Sequence, residues 1–238
     1  TVGGAFSNSG TVTLNSDSNE FAVIKVSGSS TGNITYNRYV NAVGDDEWDL
    51  IGSPVGAQTI SGFATTNTSG TATLAQSSAQ YAIGVYDNED DTWTNYTAAT
   101  VGSATFDIGT GYAMGTDSGA TVAFTGTMSV VDFPVAITDE DDTNSGAGRI
   151  WNLVANPFPS FINANDDADT NNNFLTVNTS KLHDTYEAVY GYDADGIGTE
   201  YTIYNHSSPG SAVYIAPGQG FMVASDNTSS DNVSFTEK

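Results

Sequence analysis

Five short blocks occur twice in this chain, in the same order both times. Trp48-Asp49-Leu50-Ile51-Gly52-Ser53-Pro54 returns as Trp151-Asn152-Leu153-Val154-Ala155-Asn156-Pro157, and Val85-Tyr86-Asp87 returns as Gly191-Tyr192-Asp193. Trp93-Thr94-Asn95-Tyr96 returns as Tyr201-Thr202-Ile203-Tyr204. Gly109-Thr110-Gly111-Tyr112-Ala113-Met114 returns as Gly218-Gln219-Gly220-Phe221-Met222-Val223, and Val122-Ala123-Phe124-Thr125 as Val233-Ser234-Phe235-Thr236. The spacing between partners widens steadily from 103 to 111 residues. Such a drift is what a tandem duplication with small loop insertions leaves behind. Each copy has the size of one small domain. The chain then divides into residues 1–125, with an arm at 1–19 outside the repeat, and residues 126–238.

Apolar residues come in short runs bounded by Gly, Asn, Asp and Ser, among them Phe21–Val26, Ile34–Val40, Tyr81–Tyr86, Ser129–Ile137 and Gly220–Ala224. Long windows with helical spacing of apolar positions are missing. Short strands at close spacing predict an all-β protein, here two packed β-sandwich units of jelly-roll type. The Trp-x-Leu block predicts a strand with Trp and Leu on one buried face, ended by a proline that cannot donate to a ladder. The Gly-x-Gly block predicts a tight turn feeding a strand with alternate bulky residues inward. The Val-x-Phe block predicts a strand with two inward side chains.

Charge narrows the function classes. Five Lys plus Arg face 28 Asp plus Glu, a net charge of −23, and Cys is absent. A chain without Cys has no disulfide framework, thiolate metal site or cysteine nucleophile. Binding to nucleic acid or to anionic lipid needs Lys and Arg clusters, so neither is expected. No apolar stretch approaches the ~18–20 residues of a membrane span, so no membrane insertion is expected. The two histidines, His183 and His206, lie outside any Gly-x-Ser-x-Gly context, which removes the usual hydrolytic triad. No enzymatic activity is expected.

The blocks also carry a resemblance. The run from Trp151 to Ser160, the run from Ile215 to Val223, and Asn33–Tyr39 followed by Trp48–Pro54 each resemble signatures of secreted Bacteroidota surface proteins. In those proteins the corresponding region precedes a C-terminal sorting domain used by the type IX secretion system. The resemblance implies an extracellular module displayed at the cell surface as part of a larger secreted protein. It implies no activity, because such modules occur in adhesins, enzymes and proteins of unknown role alike. The expected function is non-catalytic adhesion or polysaccharide binding, with a surface polysaccharide or a neighbouring surface protein as partner. The alternative is a structural subunit of a surface fibre. There the arm, alternating as in Thr11-Val12-Thr13-Leu14, would add a strand to a neighbour and drive self-association.

Two sets of residues stand out as candidate sites. Asp87-Asn88-Glu89-Asp90-Asp91 and Asp193-Ala194-Asp195-Gly196 follow equivalent strands of the two copies. Clustered carboxylates in a turn supply the hard oxygens that Ca²⁺ takes, six to eight of them. Asp87, Glu89, Asp90, Asp91, Asp193 and Asp195 are therefore candidate calcium ligands, with a solvated turn as the plain alternative. The second set is aromatic. Positions that are aromatic in both copies, such as Trp48 with Trp151, Trp93 with Tyr201 and Tyr96 with Tyr204, are expected in a common core. Aromatics of one copy only are the candidates for stacking on a sugar: Tyr36, Tyr39, Tyr81, Tyr186 and Tyr214, with Phe63 and Phe161 beside them.

Overall fold

Period-2 alternation marks several strands of the computed structural model, which describes residues 1–44, 48–69, 73–140, 149–192, 201–207, 210–226 and 231–237. The first half contains β1 (Phe6–Ser7), β2 (Thr13–Asn15), β3 (Ser30–Thr31), β4 (Asn33–Val40), β5 (Asp49–Ile51), β6 (Gln76–Ser77), β7 (Gln80–Asp87), β8 (Thr92–Thr97), β9 (Tyr112–Met114) and β10 (Ala120–Thr127). The second contains β11 (Phe133–Ile137), β12 (Trp151–Ala155), β13 (Ile162–Asn163), β14 (Val189–Tyr192), β15 (Tyr201–Tyr204), β16 (Tyr214–Ile215), β17 (Gly220–Ala224) and β18 (Asp231–Phe235). Each half adds one short helix, α1 (Ile60–Asn67) or α2 (Phe174–Asn178). The protein is all-β. Among the described residues no helix is long and apolar enough to cross a membrane.

The pairings of the first half recur in the second. In the first, β4 lies between β2 and β10, while β9 lies between β5 and β7 and β8 pairs with β7. In the second, β11 pairs with β18, and β17 lies between β12 and β14, which pairs with β15. Register follows suit. Ile51 sits opposite Tyr112, and Val154 opposite Phe221. Tyr86 sits opposite Trp93, and Tyr192 opposite Tyr201. Phe124 sits opposite Tyr36, and Phe235 opposite Phe133. Strands β4 and β11 therefore hold the same place, although no block pairs them in the sequence. Strand β10 runs on to Thr127, past the expected division at 125/126, and β11 opens at Phe133, so the halves join within 128–132.

Each half has its own core. Tyr36, Phe63, Phe106, Tyr112 and Phe124 are buried together in the first, and Phe158, Phe174, Phe221 and Phe235 in the second. A third cluster lies between the halves: Leu50, Leu153 and Met222, flanked by Tyr86, Trp151, Tyr190 and Tyr201. Alternation accounts for it. Ile51 and Tyr112 turn to the first core and Val154 and Phe221 to the second, so Leu50, Leu153 and Met222 turn the opposite way. The two sheets lie back to back, and β17 is buried along its whole length. Trp151 and Leu153 share one face, as alternation predicts, and that face packs across the midline rather than into the core of their own half.

The joint is reciprocal. The Gly52 N–H donates to the Gly218 carbonyl at 2.9 Å, and the Ala155 N–H donates to the Gly109 carbonyl at 2.7 Å. Ile51 bridges Gln219, and Val154 bridges Thr110. Exchanging the halves turns one set of contacts into the other, as across an isologous dimer interface. Gly109 and Gly218 hold φ of +82° and +64°, a region that only glycine enters without strain.

The N-terminal arm is part of its own half. Strands β1 and β2 pair in parallel with β3 and β4, and Val2, Phe6, Val12 and Leu14 pack against the first core. The strand expected to reach a neighbour is thus engaged within its own chain. Further on, the Ile24 N–H donates to the Pro159 carbonyl at 2.8 Å, tying this segment to the second half.

Candidate functional site

Alternation along β4 places Arg38 on the same face as the buried Ile34, Tyr36 and Val40. A guanidinium in that register is half-buried by the strand that carries it. Its Cζ lies over the Phe21 ring, 4.6 Å from the centroid, a cation–π contact. Nη1 donates to the Tyr39 carbonyl at 3.2 Å. Nε is shut off from solvent and has no hydrogen-bond acceptor among the described residues. A buried donor without a partner costs about 1–3 kcal/mol, and more when charged.

Asp49 opens β5 close by. Its two carboxylate oxygens accept from the Asn41 backbone N–H at 2.7 Å and from Asn41 Nδ2 at 3.1 Å. Arg38 and Asp49 do not touch: among the described residues the ion pairs are Lys181–Asp231 and those of His206 with Asp166 and Glu187. Burial lowers the Arg38 pKa, against the opposing pull of the Asp49 charge. Burial likewise raises the Asp49 pKa, against hydrogen bonds from Asn41 and the charge of Arg38. Burial thus works against the charge of each group, and the two make no direct ion pair.

These two side chains line a cleft of about 340 Å³ between the halves, together with Phe21, Phe161, Tyr192, Tyr214 and Gln219. That volume is within the roughly 300–1,000 Å³ usual for small-ligand sites. Phe161 meets Phe21 edge-on at 5.7 Å, and Phe161 and Tyr214 keep 42% and 53% of their surface exposed. The cleft thus joins a polar floor to an aromatic rim. The floor belongs to the first half alone. In the place of Arg38, opposite Val122, the second half has Val135, opposite Val233. In the place of Asp49, opposite Met114, it has Asn152, opposite Val223. There Asn152 is bonded to Thr138 and Ile150, and Asn88 of the first half docks on Thr138.

Of the five candidate tyrosines, Tyr214 alone lines the cleft. Tyr36 is fully buried, and its hydroxyl accepts from Ser16 Oγ and donates to the Ala22 carbonyl, so its ring is closed to any ligand. Those bonds instead hold the segment that carries Phe21. Phe63 is equally buried, in the first core. Tyr81 packs against that core, and Tyr39 is half-buried on the other face of β4. Tyr186 packs beside Trp151 and His183, at 5.8 and 5.0 Å. Phe21, Arg38 and Asp49 were not among the expected site residues. The signal for Arg38 was present, as the one charge in an inward register between Tyr36 and Val40. Trp93, expected in a common core, is 45% exposed beside Tyr86.

The acidic turn Asp87–Asp91 is braced from within. Asp87 Oδ1 accepts from the Glu89 N–H at 3.0 Å, and Asp91 Oδ1 from the Tyr86 hydroxyl at 2.8 Å. Glu89 and Asp90 are exposed. Among the described residues no three acidic or histidine side chains gather as metal ligands would. Asp193 and Asp195 lie outside the described residues.

One family model, described as a domain of unknown function (DUF8693), matches residues 3–238. That span takes in both halves and the N-terminal arm as one unit. No curated protein and no solved structure matches the chain.

Proposed function

The chain belongs to the DUF8693 family of domains of unknown function, and from that premise we propose that it is a non-catalytic binding module, receiving a unit of a polysaccharide in the cleft between its halves. The observation that carries the reading is the cleft itself: exposed Phe161 and Tyr214 share it with a half-buried guanidinium, Arg38, and a half-buried carboxylate, Asp49. Aromatic faces take the C–H faces of sugars, and polar groups fix their orientation, the usual division of labour in a small-ligand site. The matching registers of the two halves support descent from a duplicated unit, with the cleft as a product of joining them. The setting we propose is extracellular, at a cell surface, as one module of a larger exported protein. That part rests on the resemblance of the Trp151–Ser160 and Ile215–Val223 runs.

Affinity electrophoresis in gels carrying a panel of polysaccharides tests the reading. The wild type should be retarded by at least one, and Phe161→Ala with Tyr214→Ala should run freely in the same gel. Unretarded wild type across the panel, or retardation that survives both substitutions, overturns it.

A further inference from the structure

We propose, resting on the reading above, that the bound unit is an uncharged sugar whose adjacent hydroxyl groups bridge Arg38 and Asp49. The argument is one of donors and acceptors. A guanidinium offers five N–H donors and no acceptor, whereas a carboxylate offers about four acceptor sites and no donor. Nη1 of Arg38 gives one bond to Tyr39, Cζ lies 4.6 Å from the Phe21 ring centroid, and the buried Nε has no acceptor among the described residues. Asp49 accepts two bonds from Asn41, which leaves acceptor capacity toward the cleft. A group that serves both residues must accept from one and donate to the other.

Ligand chemistries sort themselves on that demand. A uronate, sulfate or phosphate group accepts only. It would satisfy Arg38 but face the Asp49 carboxylate and a chain of net charge −23. An amine donates only. A hydroxyl does both, and two neighbouring hydroxyls on a sugar ring reach two partners at once. A zwitterionic amino acid would also match the two charges, but its charged backbone brings no broad C–H face to exposed Phe161 and Tyr214. The fold itself does not require the charges, because the equivalent positions of the second half hold Val135 and Asn152. Burying ions costs stability, so a place that can be apolar and neutral, and is charged in one half only, is charged for a ligand.

Calorimetry with oligomers of glucose, mannose and galactose, the matching uronate oligomers, and free amino acids decides the matter. Wild type should bind a neutral oligomer with an affinity that barely changes with salt, and uronates about tenfold more weakly or worse. Arg38→Gln and Asp49→Asn should each weaken neutral binding by about tenfold or more. The double variant Arg38→Val/Asp49→Asn copies the second half, so it should fold and still not bind. Tighter binding of uronates that fades with salt, or binding of amino acids alone, overturns the inference. So does a neutral oligomer whose affinity ignores Arg38 and Asp49 yet falls with Phe161→Ala, a result that leaves the cleft reading standing. If no glycan binds the wild type, both fall.

Discussion

Asn67 meets Ala123 as though its side chain were a short strand. Its Oδ1 accepts from the Ala123 N–H at 2.8 Å, and its Nδ2 donates to the Ala123 carbonyl at 3.2 Å. Asn178 makes the same pair of bonds with Ser234, at 2.7 and 3.0 Å. In each half a buried asparagine at the end of a helix closes one edge of the last strand, and its amide also bonds the Phe63 or Phe174 carbonyl. An edge strand otherwise offers bare N–H and C=O groups for pairing with another chain.

Removing either amide should therefore cost more than a surface change. Asn67→Ala or Asn178→Ala leaves strand groups without partners, at about 1–3 kcal/mol. A urea titration should show a lower midpoint for both, by similar amounts. An unchanged midpoint would mean that water replaces the amide freely.

His206 ties three segments of the second half. Nδ1 faces Asp166 at 2.9 Å and Nε2 faces Glu187 at 3.0 Å, and carboxylates only accept, so the ring is held as imidazolium. Burial pulls its pKa down, but the hydrogen bonds and charges of Asp166 and Glu187 outweigh it, and the net direction is up from 6.5. A raised folded-state pKa stabilises below the unfolded value near 6.5 and stops contributing as pH climbs through the folded value. Melting temperature should fall over that window in the wild type and change less in His206→Gln. A parallel fall in both proteins would assign the pH dependence to other groups.

Gly218 and Gly109 make the turns that join the halves. Alanine at either must hold a left-handed φ, and at Gly218 its Cβ would also lie 2.7 Å from the Gly52 carbonyl oxygen. Gly218→Ala should cost about 1–3 kcal/mol in denaturant unfolding. An alanine variant as stable as the wild type would show that the joint yields.

Much of the fold could be read from local pattern. The Val122–Phe124 and Val233–Phe235 strands and the bulky residues after each Gly-x-Gly turn lie where alternation puts them. Alternation says which residues share a face but not what the face meets. With β17 buried on both sides, Met222 and Phe221 look alike in sequence and belong to different clusters. Tyr36 misled for a related reason. It has no aromatic partner among the repeated blocks, yet its structural counterpart is Phe133, visible only through the pairings with Phe124 and Phe235. The helices escaped notice because their eight and five residues complete too few turns for a periodic signal. The cleft draws Phe21, Arg38, Asp49, Phe161 and Tyr214 from distant stretches, and no local rule gathers them.

The reciprocal bonds at the midline bear on what a fragment would do in solution. Each half carries both parts of the joint: the first supplies Gly52 and Gly109, the second Ala155 and Gly218. A lone first half, cut between Met128 and Asp132, therefore bears a bare sheet edge together with the turn that fits such an edge. Two copies of it have the means to clasp one another about a twofold axis, much as the joined halves clasp within the intact chain. Light scattering on that fragment should find a dimer, and mixing it with the second half should replace like pairs by unlike ones.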